Sequence, residues 1–474
     1  VKQQNNTSTL AWLGMAAALA LAGLASCGGV GSGGSGMTTD GVTEGTANGF
    51  GSVIVDGVRY DDRSASVVTE VAPGSDAISE IRLGHRVTVQ FETAGVAHTM
   101  RADAALAGPV ASIDSASQFT LLGQAVRVNT NGTAGPITQF AGGYTQLSDM
   151  RARDAVSVHG FLVKQATSYV IQATRIDKLS TLPAYLRATG MVSNLAGTFT
   201  LGTLTVDMGG ATLLPAGSTL ANGQTVTLLA LPASLQTTGP GAPRLTAAQV
   251  RVQGLRDTSQ DRQLSGSVSQ LNLQAKTFAL GGVTVNYAAA TLSPTTTVLS
   301  EGLYVVVRGM PAANGTLVAN SVTIRDAGAD SESELRGTIT AYDAVARRLT
   351  VREVLVDVTP STEVEACPAG GLAVGLYVEV EGRLTSTGVV AKSVHCEDEP
   401  SGAVVEREGV AGSVDPVGKT FTLIRPLGGN VSVRWSDTTY FGSVTVPTLP
   451  GSRVEVEGVF VNGVLVARKV ALEN

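Results

Sequence analysis

A short phrase of alternating valines, closed by glycine, returns six times along the chain. It is clearest as Val305-Val306-Val307-Arg308-Gly309, Val378-Glu379-Val380-Glu381-Gly382 and Val454-Glu455-Val456-Glu457-Gly458. Looser copies are Val87-Thr88-Val89, Val156-Ser157-Val158-His159-Gly160 and Val226-Thr227-Leu228. Self-similarity at a roughly constant interval constrains architecture before any single motif is weighed, because each copy must build the same local structure. Apolar residues at every second position put one face of a strand in a core. The phrase therefore predicts a string of β-modules.

Composition agrees. The chain has 474 residues, 56 of them Gly, with 15% charged and 4% aromatic residues. That mixture suits short strands and many turns, and a 43% hydrophobic content is enough to bury cores. The net charge is −6, with no cluster of Lys and Arg. Neutralising nucleic-acid phosphates needs a basic groove, so no nucleic-acid partner is expected.

The amino-terminal end carries a different signal. Lys2 precedes a nearly continuous apolar run from Leu10 to Leu24. Fifteen such residues are too few to span a bilayer, which takes about 20, but they match the hydrophobic core of a secretory signal. The run ends in Leu24-Ala25-Ser26-Cys27, which resembles the lipobox of bacterial lipoproteins at all four positions. The resemblance implies cleavage before Cys27, lipidation of Cys27 and attachment to the membrane through it. More than one acyl chain is needed for stable anchoring. Gly28, where Asp would signal inner-membrane retention, points to the outer membrane. A Gly/Ser stretch follows and reads as a flexible tether over 27–44.

One template fits the copies. A Gly opens the first strand (Gly190, Gly266, Gly337, Gly412). A second strand carries an aromatic or Leu anchor at Phe119, Phe199, Phe278, Leu349 and Phe421. A third strand alternates, the valine phrase forms the fourth, and a fifth closes the unit, as in Leu465-Val466-Ala467-Arg468-Lys469-Val470. Closure into a barrel would remove exposed strand edges. The expected fold is therefore all-β: a tandem array of about six small five-stranded OB-like β-barrel modules after a lipoprotein signal at 1–26. A two-sheet sandwich is the alternative for each unit. The copies run over 45–106, 107–180, 181–255, 264–326, 335–396 and 409–474. The first opens with Gly49-Phe50-Gly51-Ser52-Val53-Ile54-Val55-Asp56-Gly57-Val58-Arg59-Tyr60. With the valine phrase, this resembles the bacterial domain-of-unknown-function 5666 family, found in tandem in secreted proteins and lipoproteins. The resemblance implies no activity. Acidic, polar stretches at 256–263, 326–334 and 397–408 read as linkers, compatible with either a stack or beads on a string.

Beyond Cys27 the cysteines are Cys367 and Cys396, both in the fifth copy. Export favours a disulfide between them, contributing about 3 kcal/mol by restricting the unfolded chain. A metal site using Cys367, His395 and Cys396 is the rival. Adjacent residues on a strand point to opposite faces, which weighs against it. His85, His98, His159 and His395 occupy unrelated template positions and read as surface or strand residues.

Several motifs fail on context. Gly29, Gly31 and Gly34 make a formal G-x-G-x-x-G with no strand before it and no helix after it. Gly418-Lys419-Thr420 lacks the earlier Gly of a phosphate loop and leads into a strand. No nucleophile elbow and no H-E-x-x-H occurs. Glu379, Glu381, Glu455 and Glu457 alternate with core valines and read as solvent-facing. The anchor phenylalanines and Trp435 read as inward. Tyr304 and Tyr377 have the opposite parity to their neighbouring valines and are expected to be exposed, which makes them the candidate ligand contacts.

No catalytic residue, cofactor or metal is assigned. The functional expectation is a non-enzymatic, exported cell-envelope lipoprotein whose β-modules bind or space an envelope polysaccharide or protein. An envelope hydrolase with an inter-module site is the alternative.

Overall fold

The computed structural model describes residues 40–92, 95–132, 135–165, 168–255, 260–325, 332–399, 402–425 and 429–473. The signal, Cys27 and most of the tether lie outside the described residues. The first strand, Gly41–Gly49, begins inside the stretch read as tether.

All described regular structure is β-strand apart from three single 3₁₀ turns at Leu147–Asp149, Pro232–Ser234 and Val446–Thr448. The valine phrase does what its alternation requires. Val87, Val89, Val156, Val158, Val226, Leu228, Val305, Val307, Val378, Val380, Val454 and Val456 are all essentially inaccessible. Burial of each such side chain contributes about 1.5–3 kcal/mol. The anchors Phe119, Phe199, Phe278, Leu349 and Phe421 are core residues, and Trp435 packs edge-on to Phe441.

The glycine that closes the phrase has its own cause. In four copies the register of the fourth strand against the fifth shifts at that glycine: His159/Gly160, Arg308/Gly309, Glu381/Gly382 and Glu457/Gly458. At each bulge a carbonyl of the partner strand occupies the space a Cβ would need. The approaches are 2.3 Å at Gly160, 2.1 Å at Gly309, 2.4 Å at Gly382 and 2.2 Å at Gly458. A bulge bends the strand and increases its twist.

The arrangement of the copies differs from the one expected. Strand Gly41–Gly49 pairs antiparallel with Arg86–Glu92 of its own copy and parallel with Asp261–Ser267 of the fourth. The first and fourth copies thereby share one 14-stranded sheet. Leu106–Ser115 of the second copy pairs with Leu186–Ala196 of the third, giving a 13-stranded sheet. The five strands of the fifth copy pair round in a ring. The sixth forms a six-stranded sheet in which Val431–Arg434 also pairs with Val464–Leu472. The fifth copy is bonded to the first, since the Phe50 N–H donates to the Glu334 carbonyl and the Arg336 N–H to the Phe50 carbonyl.

The cores merge in the same way. One apolar cluster runs from Leu106 to Val250 through the second and third copies, and another joins the first copy, Ile137 and the fifth. The expectation of six separate OB-like barrels is therefore corrected. The chain is all-β, but its strands form the stacked coils of a β-solenoid. The physical reason is size: a unit of about 60 residues buries only about 60% of its surface alone, and neighbours complete the burial.

Candidate functional site between the copies

Stacking brings charged residues from the outward strand faces into contact. Two clefts result. The first, of about 390 Å³, lies where the first, second, fifth and sixth copies meet. The second, of about 570 Å³, lies among the first four copies.

The first cleft is walled by ion pairs between distant parts of the chain. Arg468 Nη2 lies 2.7 Å from the Asp62 carboxylate, across 406 residues. Arg352 Nη2 lies 3.2 Å from Glu457 and its guanidinium covers the Phe50 ring at 5.1 Å. Lys469 contacts Glu353 and lies 3.2 Å from Glu80, and Arg82 pairs with Glu80. Burial opposes ionisation of Asp62, but the guanidinium groups of Arg468 and Arg352 hold its carboxyl below the ordinary range. Burial likewise opposes the charged form of Glu353, and Lys469 outweighs it.

Behind this wall the balance reverses. Glu406 is 2% exposed, and burial, with Glu455 and Glu457 adding repulsion, pushes its carboxyl well above the ordinary value. Glu455 is pushed up to about 7 by burial against the pull of Lys469, with Glu353 and Glu457 adding to the rise. The carboxylates at Glu379, Glu455 and Glu457 are thus not solvated as expected. Their side chains are 19%, 13% and 14% exposed, and Glu379 pairs with Arg336. Alternation fixed which face of the strand they occupy, and a neighbouring copy covered that face.

In the second cleft Glu70 accepts from Arg187 at 3.1 Å, Arg251 at 2.7 Å and Gln249 at 3.0 Å. These contacts hold its carboxyl below the ordinary value despite burial. The Arg86 guanidinium sits 5.3 Å from the Phe161 ring centre.

The two tyrosines expected at the surface are in neither cleft wall, and both are buried: Tyr304 is 3% exposed and Tyr377 6%. Tyr304 packs on Phe161 of the second copy at 5.5 Å, and its hydroxyl enters a polar cluster with Asp56 and Ser265. Burial raises the Tyr377 phenol, against Arg352 and Arg336. Opposite parity to the valines placed Tyr304 outside its own core but against a neighbouring copy.

Cys367 and Cys396 form a disulfide, so both thiols of the rival metal reading are consumed. His395 lies 3.7 Å from Glu365 and His98 3.4 Å from Glu92, both exposed. His85 and His159 are buried and stacked at 4.2 Å between the first and second copies; His159 is a strand residue, as expected, whereas His85 is neither on a strand nor at the surface.

The cleft residues had no signature in the sequence. Asp62, Arg352, Arg468 and Lys469 are charges scattered along the chain on strands and turns, and nothing local distinguishes them from solvated ones.

The fold and clefts define a class: a stacked all-β repeat chain with charged sites between its copies. Residues 107–177, 265–323, 336–395 and 408–471 match the family described as Domain of unknown function (DUF5666). The matches span more than half of the chain, and the chain belongs to this family. No curated protein matches it. Among solved structures, drosophila Unr CSD456 is similar at 15% identity, over 44% of this chain and 96% of that chain, with a TM-score of 0.14.

Proposed function

We propose that the chain is a non-enzymatic cell-envelope lipoprotein, exported and held at the outer membrane through Cys27, whose stacked β-coils bind an envelope component between copies. The carrying observation is the pair of clefts, each assembled from four copies and lined by fixed polar groups. Concave sites with a few oriented polar groups are where small ligands bind. The lipobox-like Leu24-Ala25-Ser26-Cys27 supports the anchor. Two measurements test the reading. Radiolabelled fatty acid is expected in the wild-type chain and absent from Cys27→Ser, which leaves the membrane fraction. Affinity capture from envelope extract with the full chain is expected to recover a defined glycan or protein unaltered. Turnover of the captured component sinks the non-enzymatic reading.

The hydrolase alternative has one observation in its favour. Glu457 lines the first cleft and neighbours Glu455, whose raised value suits a proton donor. It requires hydrolysis of an envelope glycan that Glu457→Gln abolishes.

A further inference from the structure

The first cleft carries a statement about ligand chemistry that rests on the binding reading above. Its cations are all matched within the protein. Arg63 pairs with Asp61, Arg82 with Glu80, Arg175 with Asp177, and Arg352 with Glu457; Arg468 pairs with Asp62, and Lys469 with Glu353. An anionic ligand that displaced Asp62, Glu457 or Asp177 from its arginine would leave a largely buried carboxylate without that partner, which is costly. A cationic ligand meets the mirror-image problem.

What the wall offers is neutral hydrogen bonding. Ser64, Ser79, Thr387, Ser436, Thr438 and Tyr440 bring hydroxyl groups to it, each able both to donate and to accept. Two buried donors of the same wall, Arg82 Nε and Arg468 Nη1, have no hydrogen-bond partner among the described residues. Both atoms are shut off from solvent, so a ligand in the cleft meets the hydroxyls and not these donors. The ion pairs hold the wall in place, so binding to its hydroxyls needs little reorganisation. The half-buried Tyr440 ring adds apolar surface beside the hydroxyls. A cavity of about 390 Å³ falls in the range for a small ligand, roughly two pyranose rings rather than a polymer segment.

We infer that this cleft binds a neutral saccharide unit, one bearing neither carboxylate nor phosphate. Its hydroxyls meet those of Thr387 and Tyr440, and the C–H face of a ring lies on Tyr440.

The test is calorimetric titration of the full chain in a non-glycosidic detergent. Maltose, cellobiose and diacetylchitobiose serve as neutral probes; glucuronic acid and glucose 6-phosphate serve as charged ones. At least one neutral disaccharide is expected to bind, with a Kd that barely changes when salt shortens the screening length to about 3–5 Å. Tyr440→Phe and Thr387→Val, checked for unchanged thermal unfolding, are each expected to weaken it by roughly tenfold, the loss of one good hydrogen bond. Binding of the charged probes alone overturns the inference, as does strong salt dependence. Neutral binding that both folded variants leave intact also overturns it. If envelope capture succeeds but no neutral disaccharide binds or competes, this inference fails while the binding function stands. If capture fails as well, both fail.

Discussion

The Tyr304 hydroxyl donates to the Asp56 carboxylate at 3.0 Å, joining two copies of the repeat across 248 residues. Ser265 donates to the other Asp56 oxygen at 2.5 Å, and Arg86 Nη1 donates to Ser265 Oγ at 2.9 Å. Asp56 is 5% exposed, and these hydrogen bonds replace the water it gives up on burial. Tyr304→Phe removes one donor without creating a cavity. The expected loss is about 1–3 kcal/mol in chemical denaturation. A variant as stable as wild type would show that the first and fourth copies are held together elsewhere.

The bulge glycines are a second point of failure. A methyl at Gly458 would stand 2.2 Å from the Val466 carbonyl oxygen, and the backbone must move to admit it. Gly458→Ala and Gly309→Ala are each expected to cost about 1–3 kcal/mol, as overpacking does. Gly302→Ala tests the alternative cause. That residue has φ +85° and open space around it, so its loss reflects backbone strain and not collision. Thermal unfolding of the three variants separates the two effects.

Glu455 imposes a pH dependence on the sixth copy. It is pushed up to about 7 from an ordinary 4.5, chiefly by burial. Glu353, Glu457 and Glu408 reinforce the rise and Lys469 opposes it. A raised value means the folded state holds the proton more tightly than the unfolded chain. The contribution is fully present below about 4.5 and is lost as pH rises through about 7. Glu455→Gln is expected to be more stable than wild type at about pH 8, by about 1–3 kcal/mol, with the difference gone near the unfolded value. Denaturation midpoints across that range provide the check.

His159 acts in the opposite direction. Burial pushes its imidazole down to about 4 from 6.5, with Arg175 and Arg187 also lowering it and Asp177 and Asp103 opposing. Its stacked neighbour His85 is pushed well down too, and His85 Nδ1 accepts the Arg82 N–H at 3.2 Å. Both rings are neutral in the fold. Stability is present above about 6.5 and is lost as pH falls towards about 4, because the unfolded chain takes up protons first. His159→Asn is expected to flatten that part of the stability profile. An unchanged acid limb would assign the loss to other groups.

The sequence alone settled which residues face inward. In a strand, side-chain direction depends only on parity, so Val454, Val456, Phe421 and Trp435 could be placed in a core without knowing what surrounds it. The cysteine pair was legible for a similar reason, since two cysteines in one copy of a chain expected to be exported have few alternatives. The outward face was another matter. Parity says that Tyr304, Tyr377, Glu455 and Glu457 leave their own core, and it is silent on whether water or another copy meets them. Strand pairing across copies, such as Gly41–Glu44 against Asp261–Leu264, depends on backbone groups that every residue carries, and no side chain announces it. Local alternation thus determined the strands and their buried faces. Only tertiary stacking decided that the outward faces become interfaces, and with them the ion pairs and the clefts.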